Sequence, residues 1–163
     1  MKLSENLNSV LNLQILVELG NQNKYMQMQS YFENLQCKKL AEYFKTQADG
    51  EHDHANLFMG YINDRTGGNV ILGEVAEPKT DFTDITSVAD FYVKTEEQTT
   101  ATIEEIYDLA LNEKSYIDLP FLAKMLEEQV EEEDSAQKLA LNLKMVKDIV
   151  LFDQSFEAYW ILN

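Results

Sequence analysis

Cysteine, proline, glycine and histidine are all scarce in this sequence. Its 163 residues include one Cys, two Pro, six Gly and two His. A single cysteine excludes an intrachain disulfide, so cysteine usage gives no sign of an oxidising compartment. Because proline and glycine break or weaken helices, their low counts favour long uninterrupted helices.

Long apolar runs are lacking as well. The first ten residues, MKLSENLNSV, contain no apolar stretch of the kind found in signal peptides. No later segment is apolar over the length that a membrane-spanning helix requires. We therefore expect a cytoplasmic protein that makes no contact with a membrane.

Basic residues are too few to balance the acidic ones. Lys and Arg total 13 against 29 Asp and Glu, which gives a formal net charge of −16. This charge repels phosphates, so we expect no nucleic-acid partner, and it also disfavours anionic membrane surfaces. An acidic surface raises the local concentration of cations, which suits a protein that collects them, but a merely soluble surface fits the same numbers.

Apolar residues recur at helical spacing in four long segments. They predict helices over about residues 4–33, 38–65, 84–112 and 117–148, and a short fifth helix in the tail DIVLFDQSFEAYWILN. The segment GGNVILGEVAEPKTDFTD between the second and third helices has no sustained period and is long for a loop. A connection of this length returns the chain along the bundle. The predicted fold class is therefore all-α: a four-helix bundle with a long crossover between helices 2 and 3 and a short C-terminal helix.

Several charged or polar residues fall in or beside the apolar stripes of these predicted helices, where unpaired charge is costly. They are Glu18 on the first helix, Glu51 and His54 on the second, Glu97 on the third, and Gln129 and Glu132 on the fourth. Buried carboxylates that lie close together cannot all ionise unless cations neutralise them. Glu51 and His54, three residues apart, share one helix face and can reach the same metal. The pattern predicts a metal centre inside the bundle. Alternatively, His54 is an ordinary core histidine paired with a carboxylate. Acidic residues in the apolar stripes of all four helices favour metal ligation by His54.

Four segments, in this order, resemble those of non-haem bacterial ferritins: VELGNQNKYMQMQSYF, EHDHANLFMGYIN, EEQTTATI and FLAKMLEEQVEEE. The resemblance covers nearly the whole chain and implies one ferritin-like domain over residues 1–163. It also implies a ferroxidase that oxidises Fe(II) with dioxygen or hydrogen peroxide. Such a protein stores the ferric mineral inside a homo-oligomeric cage of twenty-four subunits.

The resemblance further implies roles for individual residues. Glu18, Glu51 and His54 would hold one iron of a di-iron centre. A second iron would be held by Glu51, Glu97 and Glu132, with Gln129 beside it. Tyr25 would lie next to this centre and either hydrogen-bond a ligand or donate an electron.

Two features depart from related patterns. Glu128 and Glu131 match two ligands of a third iron site or mineral-nucleation site, but Gly50 stands where that site has a carboxylate. Haem-carrying bacterioferritins place a methionine directly after the residue that corresponds to Glu51, and His52 occupies that position here. We therefore expect no haem. We expect His52 to be a surface or subunit-contact residue and assign no role to Cys37.

Two other functions remain open at this point. A di-metal oxidase acting on an organic substrate would need a substrate pocket and usually a histidine at each metal, and the single histidine of this motif argues against it. The second function is a catalytically silent cage or helical module that binds another divalent metal such as Zn(II). This alternative stays open because Gly50 replaces an expected carboxylate.

Overall fold

The computed structural model describes residues 2–157, and all regular secondary structure in that range is helical. Its helices are α1 (Glu5–Asn34), α2 (Lys38–Asp64), α3 (Ile85–Asn112), α4 (Leu119–Met145) and α5 (Ile149–Ser155). The four predicted long helices agree with these bounds to within three residues. Residues 158–163 of the predicted fifth helix lie outside the described range. Among the described residues, no helix combines the length and apolar character needed to cross a bilayer.

Helices α1 and α2 form one antiparallel hairpin, and α3 and α4 form another. Each hairpin turns through a single residue in the left-handed conformation: Gln36 with φ 60° and Lys114 with φ 57°. In both turns the next backbone N–H bonds back across the helix end, from Cys37 to Phe32 and from Ser115 to Ala110. Such ends satisfy the last carbonyls of a helix and allow a short connection.

The crossover between α2 and α3 runs beside α1 along its whole length. The Leu3 N–H donates to the Thr66 carbonyl oxygen at 2.9 Å, which joins the two chains near the start of α1. The Asn12 side chain makes two hydrogen bonds to crossover backbone. Phe82 packs edge-on against Tyr31 near the end of α1. Because the crossover returns along the bundle, α2 and α3 run parallel, and the predicted fold class is confirmed.

The interior of the bundle consists of two apolar clusters separated by a polar layer. The aromatic cluster is built on Tyr25, Phe32, Tyr43, Phe44 and Tyr92. The distal cluster is built on Leu7, Leu11, Ile15, Phe58, Ile62 and Ile103. Each long helix contributes residues to both clusters and places a buried polar residue between them. The apolar packing on both sides therefore fixes the position of these polar side chains.

Candidate metal centre

The polar layer contains one deeply buried side chain from each long helix. These are Glu18, Glu51, Glu96 and Gln129, with exposed fractions of 1, 3, 1 and 2 %. Glu132, almost one turn beyond Gln129 on α4, joins them and is a quarter exposed. Buried carboxylates at this density need compensating positive charge.

One side of the layer has the geometry of a metal site. Ligand atoms of Glu18, Glu51 and His54 all lie within 4.8 Å of one another. His54 Nδ1 is 3.2 Å from Glu51 Oε2. Glu18 Oε1 accepts a hydrogen bond from Gln14 at 2.8 Å, whereas Glu18 Oε2 has no hydrogen-bond partner among the described residues. A buried carboxylate oxygen without a donor is unusual, and a bound cation would satisfy it.

The other side of the layer is formed by α3 and α4. Gln129 Nε2 lies 3.3 Å from Glu96 Oε2, and the Tyr25 hydroxyl donates to Glu96 Oε1. Glu132 Oε1 is 3.7 Å from His54 Nε2, which connects this side to the first. Glu132 Oε2 is buried and has no hydrogen-bond partner in the described chain. Each side therefore carries one unsatisfied carboxylate oxygen.

The prediction that Glu97 is the carboxylate from the third helix is wrong, because the structure places Glu96 in the layer instead. The Glu97 side chain is exposed. Successive residues of a helix are separated by about 100°, so only one of two adjacent acids can face the core. Glu96 lies seven residues from both Ala89 and Ile103, which are fully buried. This spacing is the sequence signal that identifies the inward-facing acid.

Burial is the main cause of the electrostatic strain in the layer. It raises the pKa of Glu18 and Glu51 well above the ordinary value of 4.5, and repulsion from neighbouring carboxylates adds to this. Burial also raises the pKa of Glu96, although hydrogen bonds from Tyr25 and Gln129 oppose the shift. Burial, with repulsion from Glu96, raises the pKa of Glu132 to about 8. Divalent cations between these groups would remove the repulsion and hold the carboxylates ionised.

Sequence reasoning missed a polar bridge between α1 and α3. Lys24 Nζ donates to Asn21 Oδ1 at 3.0 Å, and Asn21 Nδ2 donates to Thr99 Oγ1 at 2.8 Å. Burial lowers the pKa of Lys24, while its charge interacts favourably with three carboxylates of the layer. No motif marks a lysine or an asparagine at such positions. The one signal in the sequence is spacing. Asn21 and Lys24 lie three and six residues after Glu18, close to the apolar stripe that contains it.

The residues of the predicted third site lie at the edge of the layer. Glu128 Oε2 is 3.4 Å from His54 Nε2, and Glu131 is exposed. Both line a cleft of about 540 Å³ that reaches His54 and Glu132. Gly50 contributes no ligand, and a Cβ at this position would meet no atom within 4 Å. The structure thus brings two of the expected acids to one cleft and leaves space for a third.

Two residues without an expected ligand role lie away from the layer. His52 is exposed on α2, in keeping with its predicted surface position. Cys37 is fully buried at the turn between α1 and α2.

Comparisons with known proteins agree with this architecture. The family model described as a ferritin-like domain matches residues 8–146. A bacterial non-heme ferritin of Staphylococcus aureus strain USA300 is 34% identical over 131 residues, covering 80% of this chain and 78% of its own. Its counterpart from Staphylococcus epidermidis is 33% identical over 133 residues, covering 82% and 80%.

Solved structures give the same result. An open-pore ferritin from the archaeon Archaeoglobus fulgidus superposes with a TM-score of 0.89 at 28% identity, covering 94% of this chain and 96% of that one. An engineered closed form of the Archaeoglobus fulgidus ferritin gives a TM-score of 0.85 at 28% identity, covering 99% and 94%. With the four-helix bundle and its acidic layer, these similarities show that the chain belongs to the ferritin family.

Proposed function

We propose that this protein stores iron and oxidises Fe(II) at the acidic layer before the ferric product is mineralised. The observation that carries the proposal is the convergence of four carboxylates and one imidazole, from four helices, in a buried layer with two unsatisfied carboxylate oxygens. Membership of the ferritin family and the similarity to bacterial non-heme ferritins give independent support.

The donor set suits iron in both oxidation states. Glu18, Glu51 and His54 would hold one Fe(II), and Glu51 would bridge to a second held with Glu96 and Glu132. Carboxylates are hard ligands, so they stabilise Fe(III) more strongly than Fe(II) and favour oxidation. The second position has no histidine, so we expect weaker retention there and release of the oxidised product.

The reaction balances with two Fe(II) ions as electron donors. Each loses one electron; dioxygen takes both electrons and two protons to become hydrogen peroxide. With hydrogen peroxide as the oxidant, the same two electrons and two protons yield two water molecules. Among the protein groups, Tyr25 holds Glu96 in position through its hydroxyl. Gln129 donates to the same carboxylate from α4.

The adjacent acids of α3 provide the sharpest test. Fe(II) is added aerobically and ferric absorbance is followed in the protein and in variants Glu51→Gln, Glu96→Gln and Glu97→Gln. We expect the initial rate to fall by at least about tenfold in the first two, since each loses a ligand, and to stay unchanged in Glu97→Gln. Equal rates in all four proteins would refute oxidation at this layer. A loss in Glu97→Gln alone would refute the assignment of Glu96.

We further propose that the protein assembles into a homo-oligomeric cage of twenty-four subunits in the cytoplasm. The structural similarity to ferritins that extends over nearly the whole chain supports this assembly. Light scattering coupled to size exclusion tests it directly. A monomer or dimer as the main species at micromolar concentration would contradict the cage.

A further inference from the structure

A second cleft approaches the acidic layer from the side of α1 and α3. It has a volume of about 600 Å³ and lies between these two helices and the crossover, and we call it the Lys24 cleft. Its polar residues include Asn21, Lys24 and Thr99, which form the polar bridge between α1 and α3. The rest of its wall is largely apolar and is built mainly from Leu13, Leu16, Val17, Ala76 and Ala101.

The floor of the Lys24 cleft is a hydrogen-bonded pair of side chains. Asn21 Nδ2 donates to Thr99 Oγ1 at 2.8 Å, and the two residues have exposed fractions of 0 and 1 %. Burial raises the pKa of Glu51, and a hydrogen bond from Asn21 to the Glu51 carboxylate opposes that shift. The Asn21 side chain is therefore all that separates the cleft from a carboxylate of the candidate metal centre.

Lys24 places a positive charge at this floor. Its Nζ donates to Asn21 Oδ1 at 3.0 Å, and the side chain is half-buried. Among the described residues that line the cleft, the other charged one is Glu74, which is exposed on the crossover, where water and salt screen its charge. A cation that moves inward through this cleft therefore meets the Lys24 ammonium before it reaches the carboxylates of the layer.

The cleft between α2 and α4 has the opposite charge. This cleft, of about 540 Å³, reaches His54 and is lined by four acidic side chains of α4. The lysine that lines it, Lys138, is paired with Asp134 at 2.6 Å. Acidic walls raise the local concentration of cations. Cations are therefore drawn to the layer from the side of α2 and α4, and the Lys24 cleft suits a reactant of another kind.

Dioxygen has the chemistry that matches the Lys24 cleft. It is neutral and apolar, so the apolar wall favours its entry and the Lys24 ammonium does not repel it. To reach Glu51 it needs the Asn21 side chain to swing away from Thr99, and it crosses that opening without losing a hydration shell. A divalent cation at the same point would have to shed water and pass a positive charge, which costs far more free energy.

We propose that the Lys24 cleft is the entry route by which dioxygen reaches the acidic layer, and that Lys24 excludes cations from this route. The inference rests on the proposed function, because it assigns separate routes to the two reactants of iron oxidation. Packing alone does not account for a lysine at this position, since burial of an ammonium is costly and lowers the pKa of Lys24.

The first arm of the test narrows the cleft. Ala101, an exposed residue of its wall, is replaced by tryptophan, and Ala123→Trp is the matched control because Ala123 is exposed on α4 and does not line the cleft. Protein loaded anaerobically with Fe(II) is mixed with buffers of graded dioxygen content, and stopped flow follows ferric absorbance. We expect Ala101→Trp to lower the rate at limiting dioxygen by about fivefold or more, because the large indole fills part of the cleft. The rate at saturating dioxygen should not change.

The second arm measures cation entry without oxidation. Co(II) is mixed with the metal-free protein, and its visible absorbance follows binding. We expect Lys24→Gln to speed binding by about fivefold, because the repulsion at the floor is removed. Lys45→Gln, which removes a lysine paired with Asp49 on the surface, should have no effect. In the double variant Lys24→Gln, Ala101→Trp the gain should disappear, whereas an effect of the Lys24 charge on cations arriving by another route would survive the tryptophan.

Size exclusion and thermal unfolding show whether each variant keeps its assembly and fold. Equal dependence on dioxygen in Ala101→Trp, Ala123→Trp and the unaltered protein would overturn the dioxygen route. Co(II) binding that is no faster in Lys24→Gln, or equally fast in the double variant, would overturn the exclusion of cations by Lys24. Absence of ferric absorbance in the unaltered protein would instead refute the proposed function and, with it, the dioxygen route.

Discussion

Two regions of the structure treat their buried carboxylates in opposite ways. At the end of the bundle, Asp118 is 1 % exposed and accepts hydrogen bonds from Ser115, Tyr61 and Arg65. Burial alone would raise the pKa of Asp118, but these three donors outweigh it and lower the pKa below 3.8. In the acidic layer the balance is reversed, and burial raises the pKa of every carboxylate described there.

The difference shows which carboxylates the fold itself has neutralised. Arg65 Nε lies 2.7 Å from Asp118 Oδ1, so the charge of Asp118 has a permanent partner within the chain. Four carboxylates in the acidic layer face His54 and the more distant Lys24. A structural ion pair is complete without any ligand, whereas the layer becomes electrically balanced only when its carboxylates take up protons or when mobile cations enter. This contrast supports the proposal that the layer is a binding site.

Replacing an acid by its amide in each region should change stability in opposite directions. Asp118→Asn leaves Arg65 near an uncharged amide, and we expect the metal-free protein to lose about 3 kcal/mol. Glu132→Gln removes a carboxyl group whose ionisation the folded state opposes, and we expect the metal-free protein to gain about 1 kcal/mol. Urea unfolding in the presence of a chelator measures both. Destabilisation by both substitutions to the same extent would erase the proposed distinction.

The two regions should also respond oppositely to pH. Because the folded-state pKa of Glu132 is raised from 4.5 to about 8, the folded state binds more protons than the unfolded state between these values. The free energy of unfolding of the metal-free protein should therefore fall as pH rises from about 5 to about 8. Asp118 has a lowered pKa, so its contribution is present above the unfolded value and is lost as pH falls through the folded one.

Thermal melts at several pH values with a chelator test this prediction. The Glu132→Gln variant should show a shallower slope between pH 5 and 8, and added Zn(II) should flatten the slope of the unaltered protein. If the metal-free protein instead becomes more stable as pH rises from 5 to 8, the predicted direction of the pH dependence is wrong.

The sequence predicts the fold and the composition of the layer better than its geometry. Helical periodicity and the aperiodic stretch of residues 67–84 are enough for the bundle and its crossover, because both follow from local composition and from connection length. The choice between Glu96 and Glu97 requires the orientation of α3 to within one residue, which is about 100° of rotation. The buried polar residues Thr95 and Thr99 lie beside Glu96 and make the apolar stripe of α3 harder to recognise. The role of Lys24 depends on contacts between α1 and α3, which no local pattern encodes.

Lys24 supplies positive charge to the acidic layer from within the chain, which makes the layer less different from the Asp118 region. Its ammonium interacts with Glu51, Glu96 and Glu18, and it therefore repels cations that enter the layer. We expect Lys24→Gln to tighten Zn(II) binding by on the order of 1 kcal/mol. Calorimetric titration measures this, with Lys45→Gln as the control because Lys45 is paired with Asp49 on the surface. Unchanged or weaker binding in Lys24→Gln would show that the lysine does not oppose metal entry.

The smallest expected effect concerns Gly50, which lies three residues from Gln47 and four from His54, both of which line the cleft with Glu128. A side chain at Gly50 has open space, and Gly60 on the same helix has open space as well. Replacing either glycine by alanine should stabilise α2 by about 1 kcal/mol, because glycine is the poorer helix former. Replacement by glutamate should separate the two positions. Gly50→Glu places a third carboxylate beside Glu128 and should raise the number of Zn(II) ions bound per subunit by about one. Gly60→Glu should not, since a position ten residues further along α2 lies about 15 Å away along the helix axis. If equilibrium dialysis finds the same stoichiometry for both glutamate variants, the cleft is an acidic surface and not an incomplete extension of the metal centre.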